Sequence, residues 1–356
     1  MGKRPSPDCP RSQPSAPTSL LKTSPRISTS ADRCVSAGMP VSRRVPVRSR
    51  WRRPLLPSGS EWLLPPAPAL PGRLRVTFLG VSTLLLDDGV TALLTDGFFT
   101  RPGKLRALAG RVRPDLRVID ECLRRAGISR LAAVLVLHSH YDHVMDAPAV
   151  AARTGAVLVG SASTAAVGRG GGLPEERILV ATAGAALTFG GFTVTLVESA
   201  HVPPHRFDGE ITEPVVPPAR VGAYRMGACY SLHVAHGGRG LLVQASAGYA
   251  ENTLAGYDAD VAYLGVGTLG RQTAEYRQAY WAQTVAAVGA RRVLPIHWDD
   301  FWRPLARPLA PLPAIVDDLD ATLAYLTARG AADGVEIRMP TPWQPTDPFL
   351  GLPVRP

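Results

Sequence analysis

The stretch LVLHSHYDHVMD, residues 135–146, places His138, His140, Asp142 and His143 directly after an apolar run. Neutral imidazole and carboxylate are ligands that suit zinc and its neighbours among the divalent metals. On an extended segment His138 and His140 share one side, and Asp142 and His143 follow as the chain turns into the next helix. One loop can therefore feed two neighbouring metal positions. Two more histidines close apolar runs, His201 in VESAH and His297 in LPIHWDDF, so five of the eight histidines fall at three strand ends.

The elements that must position these residues are legible in the texture of the chain. From Leu74, the segments LRVTFLG, STLLLDD and TALLTDG are short, apolar and broken by Gly and Asp, as hairpin-connected strands are. Residues 106–130 read as helical, AAVLVLH as a buried strand, DAPAVAART as a helix and GAVLVGS as a strand. Farther on, ALTFGGFTVTLVESAH holds two strands around Gly190-Gly191, and CYSLHVAH with GRGLLVQAS makes a hairpin across Gly237-Gly238. Residues 273–290 have helical spacing and a Gly stop, RRVLPIHW is a strand, and IVDDLDATLAYLTARG is a final helix. Strands, then strand-helix units, then strands and helices again fit two sheets packed face to face with helices outside.

Charge narrows the partners. Of 39 basic and 29 acidic residues, 12 and 2 fall in residues 1–56, leaving 27 of each sign for the remainder. A nearly neutral body lacks the basic face that nucleic-acid binding needs, so no nucleic acid is expected. Residues 1–70, rich in Pro, Ser and Arg, read as a disordered basic extension, with Met39 as an alternative start, and residues 71–356 as the folded domain. Cys9, Cys34, Cys122 and Cys229 are too scattered for a disulfide framework or a zinc ribbon. No run approaches 18 apolar residues, and the arginines at 48, 50, 52 and 53 occupy the place where an export signal would carry its apolar region. A cytoplasmic protein without an integral membrane segment is expected, and Ala, Gly, Pro and Arg richness with three lysines points to a GC-rich bacterial genome. Oligomeric state is not encoded in any feature of the chain.

HSHYDH resembles the His-x-His-x-Asp-His motif of the metallo-β-lactamase superfamily, and the segment order is similar to its αββα sandwich across roughly residues 74–340. The closest likeness is to the branch of ascorbate-lactonate-lactonase-like and N-acyl-phosphatidylethanolamine phospholipase D-like proteins, where an early strand ends in Thr-Asp, as in LLTDGFF, and a late one in His plus an aromatic, as in LPIHWDDF. The resemblance implies that His138, His140 and His201 hold a first metal and Asp142, His143 and His297 a second. It also implies that Asp96 orients a ligand histidine, chemically reasonable because a bound imidazole donates its other N–H to a carboxylate. Zn²⁺ is the expected ion, one or two, with Mn²⁺ or Fe²⁺ as alternatives.

One position departs from the family. Where relatives carry a Gly-Asp-Thr-Gly-like turn whose Asp bridges both metals, GLLVQASAGY puts Ser246. A neutral hydroxyl leaves repulsion between two dications less compensated. The site is then mononuclear, recruits Glu251, Asp299 or Asp300 instead, or has lost its activity. If it is active, metal-bound hydroxide attacks a carbonyl or phosphoryl centre, so the expected activity is hydrolysis of a small-molecule lactone, other ester or phosphodiester. Asp142 is placed to meet the leaving group, and Tyr141, His205 or Asp300 to relay protons. The insertion from Pro203 to Met226 follows His201 directly and would shape substrate access, with Arg206, Arg220 and Arg225 available to an anion. β-Lactams are not expected, given the missing export signal. The competing reading is a non-catalytic metal-containing ligand-binding protein of the same fold; a third is a metal that only clamps the two halves of the sandwich.

Overall fold

The computed structural model describes residues 52–355. Its first sheet takes β1 (Arg75–Gly80), β2 (Thr83–Asp87), β3 (Ala92–Thr95), β4 (Ala133–Leu135), β5 (Val157–Gly160) and β6 (Ile178–Val180). The second takes β7 (Ala186–Phe189), β8 (Phe192–Ser199), β9 (Cys229–His236), β10 (Arg239–Gln244), β11 (Val261–Gly265), β12 (Arg292–Ile296) and β13 (Glu336–Ile337), and β14 (Pro345–Thr346) returns to the first. Their orders are β14-β1-β2-β3-β4-β5-β6 and β13-β12-β11-β10-β9-β8-β7. Both sheets are mixed: β1 to β3 pair antiparallel and β3 to β6 parallel, while β7 to β10 are antiparallel and β10 to β13 parallel.

The period-two alternation of strands builds the layers. In β1 and β2, Val76, Phe78, Leu84 and Leu86 join the core that also holds Val194, Leu232, Leu241 and Val243 of the second sheet. Leu79, Leu85, Val134 and Leu158 face the other way, against Ile119, Leu123, Val144 and Val150 from helical segments. Those segments are α1 (Lys104–Ala109), α2 (Leu116–Arg125), α3 (Tyr141–Val144), α4 (Ala147–Thr154) and α5 (Ala162–Gly170). Trp281 and Val285, from α6 (Ala274–Trp281) and the π-turn that continues it, and Leu323 and Leu326 of α7 (Leu319–Asp333) belong to the core of the second sheet. This is the expected αββα sandwich.

Several details have local causes. The expected helix over 106–130 is two helices, because Pro114 cannot continue α1 and the Asp115 carboxylate caps α2, accepting from the backbone N–H groups of Arg117 and Val118. Gly237 and Gly238, at φ +55° and +75°, make the hairpin between β9 and β10, a turn that requires two left-handed residues. Strand β11 was not anticipated from the sequence. Its residues VAYLG are all buried, so they carry no alternating pattern.

Described residues ahead of the expected boundary at 71 touch the body. Residues 1–51 of the expected extension lie outside the described residues, but Leu64 is buried, Leu63 bridges to Met339 and Pro66 to Thr346. Leu56, Trp62 and Leu63 also pack against the core. These apolar residues anchor the segment to the body despite its Pro and Arg content.

Candidate metal centre

Five site residues follow the carboxyl end of a strand: Asp96 after β3, His138 after β4 and its extension, His201 after β8, Ser246 after β10 and His297 after β12. Open α/β sheets place ligands outside these ends. Asp142 and His143 lie on α3, a single turn buried throughout.

The six expected ligands gather into two trios, His138 with His140 and His201, and Asp142 with His143 and His297; within each, one donor atom per residue lies within 4.8 Å of the others. The trios adjoin, since the rings of His138 and His143 are 3.7 Å apart between centroids. Outer hydrogen bonds select the free nitrogen on each ring. His140 Nε2–H donates to the carbonyl of Arg206 at 2.8 Å, leaving Nδ1 with a lone pair. His201 Nδ1–H donates to the Val202 carbonyl at 2.8 Å, leaving Nε2. His143 Nδ1–H donates to Asp96 Oδ2 at 2.7 Å, leaving a buried Nε2 with no partner among the described residues. His138 is buried with neither ring nitrogen partnered.

Unpartnered buried nitrogens carry a desolvation cost that a bound cation would offset, so this donor set fits a metal. Its protonation fits too. Burial, reinforced by neighbouring imidazoles, depresses His138 and His140 below the ordinary histidine range and His201 to about 3. They therefore stand neutral, the form that ligates. Burial would raise Asp142, but His143 and His297 hold it well below the usual carboxylate range. Burial would likewise lower His297, yet the Asp142 carboxylate 3.5 Å away raises it.

The supports are rigid. Asp96 is fully buried and sits at φ +53°; its Oδ1 accepts from Leu137 N–H at 2.9 Å, and its Oδ2 from the Ser82 hydroxyl. His297 sits at φ +59° and donates its N–H to the Val81 carbonyl at 2.7 Å. Left-handed non-glycine residues cost roughly 1–3 kcal/mol each and persist where surroundings dictate them. The insertion clasps the motif, with its Arg206 carbonyl on His140 and its Met226 carbonyl accepting from Ser139 N–H at 2.8 Å. Ser82 and these carbonyls had no signal in the sequence.

The remaining expected residues have defined places. Ser246 is buried and its hydroxyl accepts from Val202 N–H at 3.0 Å, tying β10 to the residue after His201. His205 is exposed, its ring 6.5 Å from that of His201. The ring of Tyr141 packs edge-on against Phe98 and Phe301, and burial raises its phenol well above its ordinary range. None of the three carboxylates considered as a replacement bridge joins either trio. Glu251 is exposed, Asp299 pairs with Arg101 at 2.6 Å and accepts from Val81 N–H, and Asp300 pairs with Arg53 at 2.6 Å. Among the described residues no helix is long and apolar enough to cross a membrane.

Comparison with known proteins accords with this architecture. The chain is 31% identical over 129 residues to a UPF0173 metal-dependent hydrolase of Rhizobium etli, a match covering 36% of this chain and 48% of that protein. It thus spans about half the length of that relative. A UPF0173 metal-dependent hydrolase of Methanopyrus kandleri is 29% identical over 231 residues, 64% of this chain and 85% of that one. Among solved structures, Igni18, a metallo hydrolase from Ignicoccus hospitalis, aligns at TM-score 0.49 and 15% identity over 77% of this chain and 97% of its own. An isothiocyanate hydrolase from Delia radicum gut bacteria aligns at 0.46 and 14% over 76% and 98%. The model of the β-lactamase superfamily domain matches residues 92–298, more than half of the chain, and the protein belongs to that superfamily.

Proposed function

We propose that the chain is a metal-dependent hydrolase that acts on a lactone, another ester or a phosphodiester, with zinc held at His138, His140 and His201 and a weaker second position at Asp142, His143 and His297. The observation that carries this reading is the set of buried, outward-unpartnered nitrogens on His138 and His143 beside a neutral first trio. When bound, zinc supplies Lewis acidity to a substrate oxygen and lowers the pKa of a coordinated water.

The chain's own residues do the rest. The Arg206 and Val202 carbonyls fix His140 and His201, and Asp96 fixes His143, so the donors need no rearrangement. Asp142, held ionised, would be the charged donor of the second position, on the side where a leaving group departs. His205, exposed at the edge of the first trio, donates Nε2–H to the His201 carbonyl at 3.1 Å and is the solvent-facing candidate for a relay. Asp300, engaged by Arg53 and by Trp302 N–H, keeps the loop after His297 in place and is the more distant relay. On this reading Ser246 takes the place of the superfamily's bridging Asp, and the two positions share no charged ligand. A cytoplasmic setting and a bacterial source complete the reading.

Elemental analysis of the full chain, with Ser246→Asp and His140→Ala beside it, tests the proposal. One metal in the native protein, lost in His140→Ala and joined by a second in Ser246→Asp, supports it. No metal under any loading sinks it. The same Ser246 observation favours the second reading, a metal-containing binding protein without turnover. A panel of lactones, p-nitrophenyl esters and bis-p-nitrophenyl phosphate, assayed with Zn²⁺, Mn²⁺ and Fe²⁺, separates the two: a loaded protein inert to all of them is the binding protein.

A further inference from the structure

Outside the metal centre, the described residues enclose a cleft of about 870 Å³ between α1, the start of α2, α4 and the Pro217-Pro218 turn of the insertion. None of the six ligand residues lines it. Its floor is apolar, made by Met145, Pro148, Val167 and the ring of Tyr224, and three arginines, Arg106, Arg113 and Arg117, stand around it.

These arginines differ from most in the molecule. Elsewhere guanidinium groups bond carboxylates or carbonyls, as Arg53, Arg177, Arg239, Arg292 and Arg355 do. Arg106, Arg113 and Arg117 are exposed, and their side chains make no hydrogen bond or ion pair among the described residues. The nearby carboxylate, Asp115, is engaged as the cap of α2 through Oδ1, which accepts from Arg117 N–H at 3.1 Å and Val118 N–H at 3.3 Å. Arg101, also on the wall, is neutralised by Asp299. Against these three guanidinium groups the wall sets only the carboxylate of Asp115, so a surplus of like charge is left to its own repulsion on a body that is otherwise close to neutral. A multiply charged oxyanion would relieve that repulsion, and the planar fork of guanidinium matches phosphate and carboxylate oxygens.

We infer that this cleft binds a small organic polyanion, an organic diphosphate or a compound of like charge, with the charged group among Arg106, Arg113 and Arg117 and an apolar or aromatic body on the floor. The site is independent of the metal reading, because its residues and those of the two trios do not overlap.

Calorimetric titration of the full chain with inorganic pyrophosphate, as the head group alone, and with ADP, as an organic diphosphate, tests it. Both are expected to bind saturably, ADP more tightly. The triple variant Arg106→Ala/Arg113→Ala/Arg117→Ala is expected to lose at least about tenfold in affinity, the scale of one lost charge-assisted hydrogen bond, at an unchanged melting temperature. Since both probes also ligate metals, the titration is repeated after chelation and with His138→Ala, where affinity should persist. Absence of saturable binding, native-like affinity in the triple variant, or loss of binding on chelation would overturn the inference.

Discussion

The two trios are built from nearly the same residue types and supported in opposite ways. Around His138, His140 and His201 the outer partners are loop carbonyls, those of Arg206 and Val202, and among the described residues no carboxylate bonds these imidazoles. Around Asp142, His143 and His297 the partners are charged: Asp96 on His143, and Asp142 beside His297. The difference teaches how one motif makes two unlike positions. The first is neutral and depends on the insertion for its geometry; the second is electrostatically compensated and depends on buried carboxylates and a strained backbone at Asp96 and His297.

The largest effect should come from deleting one ligand on each side. His138→Ala should abolish metal at the first position and activity with it, whereas His143→Ala should keep that metal and lose only the weaker binding that appears under excess Zn²⁺; elemental analysis at both loadings and turnover read both, and equal losses in the two variants would mean that the positions act as one.

Next in size is the buried pair behind His297. Arg101 and Asp299 have fully buried side chains, and Asp299 also holds the N–H of Val81, whose carbonyl in turn holds His297. Arg101→Met leaves Asp299 uncompensated, which should cost roughly 3–5 kcal/mol in urea unfolding. A change within error would show that the second trio does not rest on this pair.

Smaller is Asp96→Asn, which keeps the shape and removes the charge behind His143. Metal affinity at the second position should fall about 10- to 100-fold, with the first position unaffected.

The smallest serves as a control. His236 and Asp88 make a carboxylate–imidazole contact at 2.9 Å like that of His143 with Asp96, but among the described residues they belong to no group of three that could hold a metal. Burial opposes ionisation of Asp88, yet hydrogen bonds from Thr91 N–H, His236 and Val90 N–H keep its carboxyl below its ordinary value. A depressed carboxylate adds stability above its unfolded pKa and loses it as pH falls through the lower folded value. Asp88→Asn should therefore lose about 1–2 kcal/mol at pH 6, with the gap from native closing toward pH 3, and leave metal content unchanged. Any loss of metal would mean that the contact does more than hold the β2–β3 turn to β9.

The layered fold was legible because its cause is local. Residues such as Val76, Phe78, Leu84 and Leu86 alternate with neighbours on the opposite face, and the alternation survives as pattern in the chain. Where burial is complete on both faces, as in β11, the pattern vanishes and the strand was missed. The stretch before β1 hides its contacts for a related reason: Pro and Arg dominate its composition, while a few apolar residues, Leu56, Trp62, Leu63 and Leu64, reach the core.

The sequence by itself singled out the candidate ligands, because His138, His140, Asp142 and His143 fall within six positions and His201 and His297 each end an apolar run. It also gives a hydroxyl, Ser246, directly after the apolar run GLLVQA. Only the tertiary structure decided which nitrogen each histidine offers, because the deciding partners are backbone carbonyls of Arg206 and Val202 and the carboxylate of Asp96, tens of residues away or without a side-chain signature. It alone decided that Asp299 and Asp300 answer to Arg101 and Arg53 rather than to a metal. Ion pairing is a matter of distance in space, and a chain that brings Arg53 to Asp300 does so through packing that no stretch of sequence records.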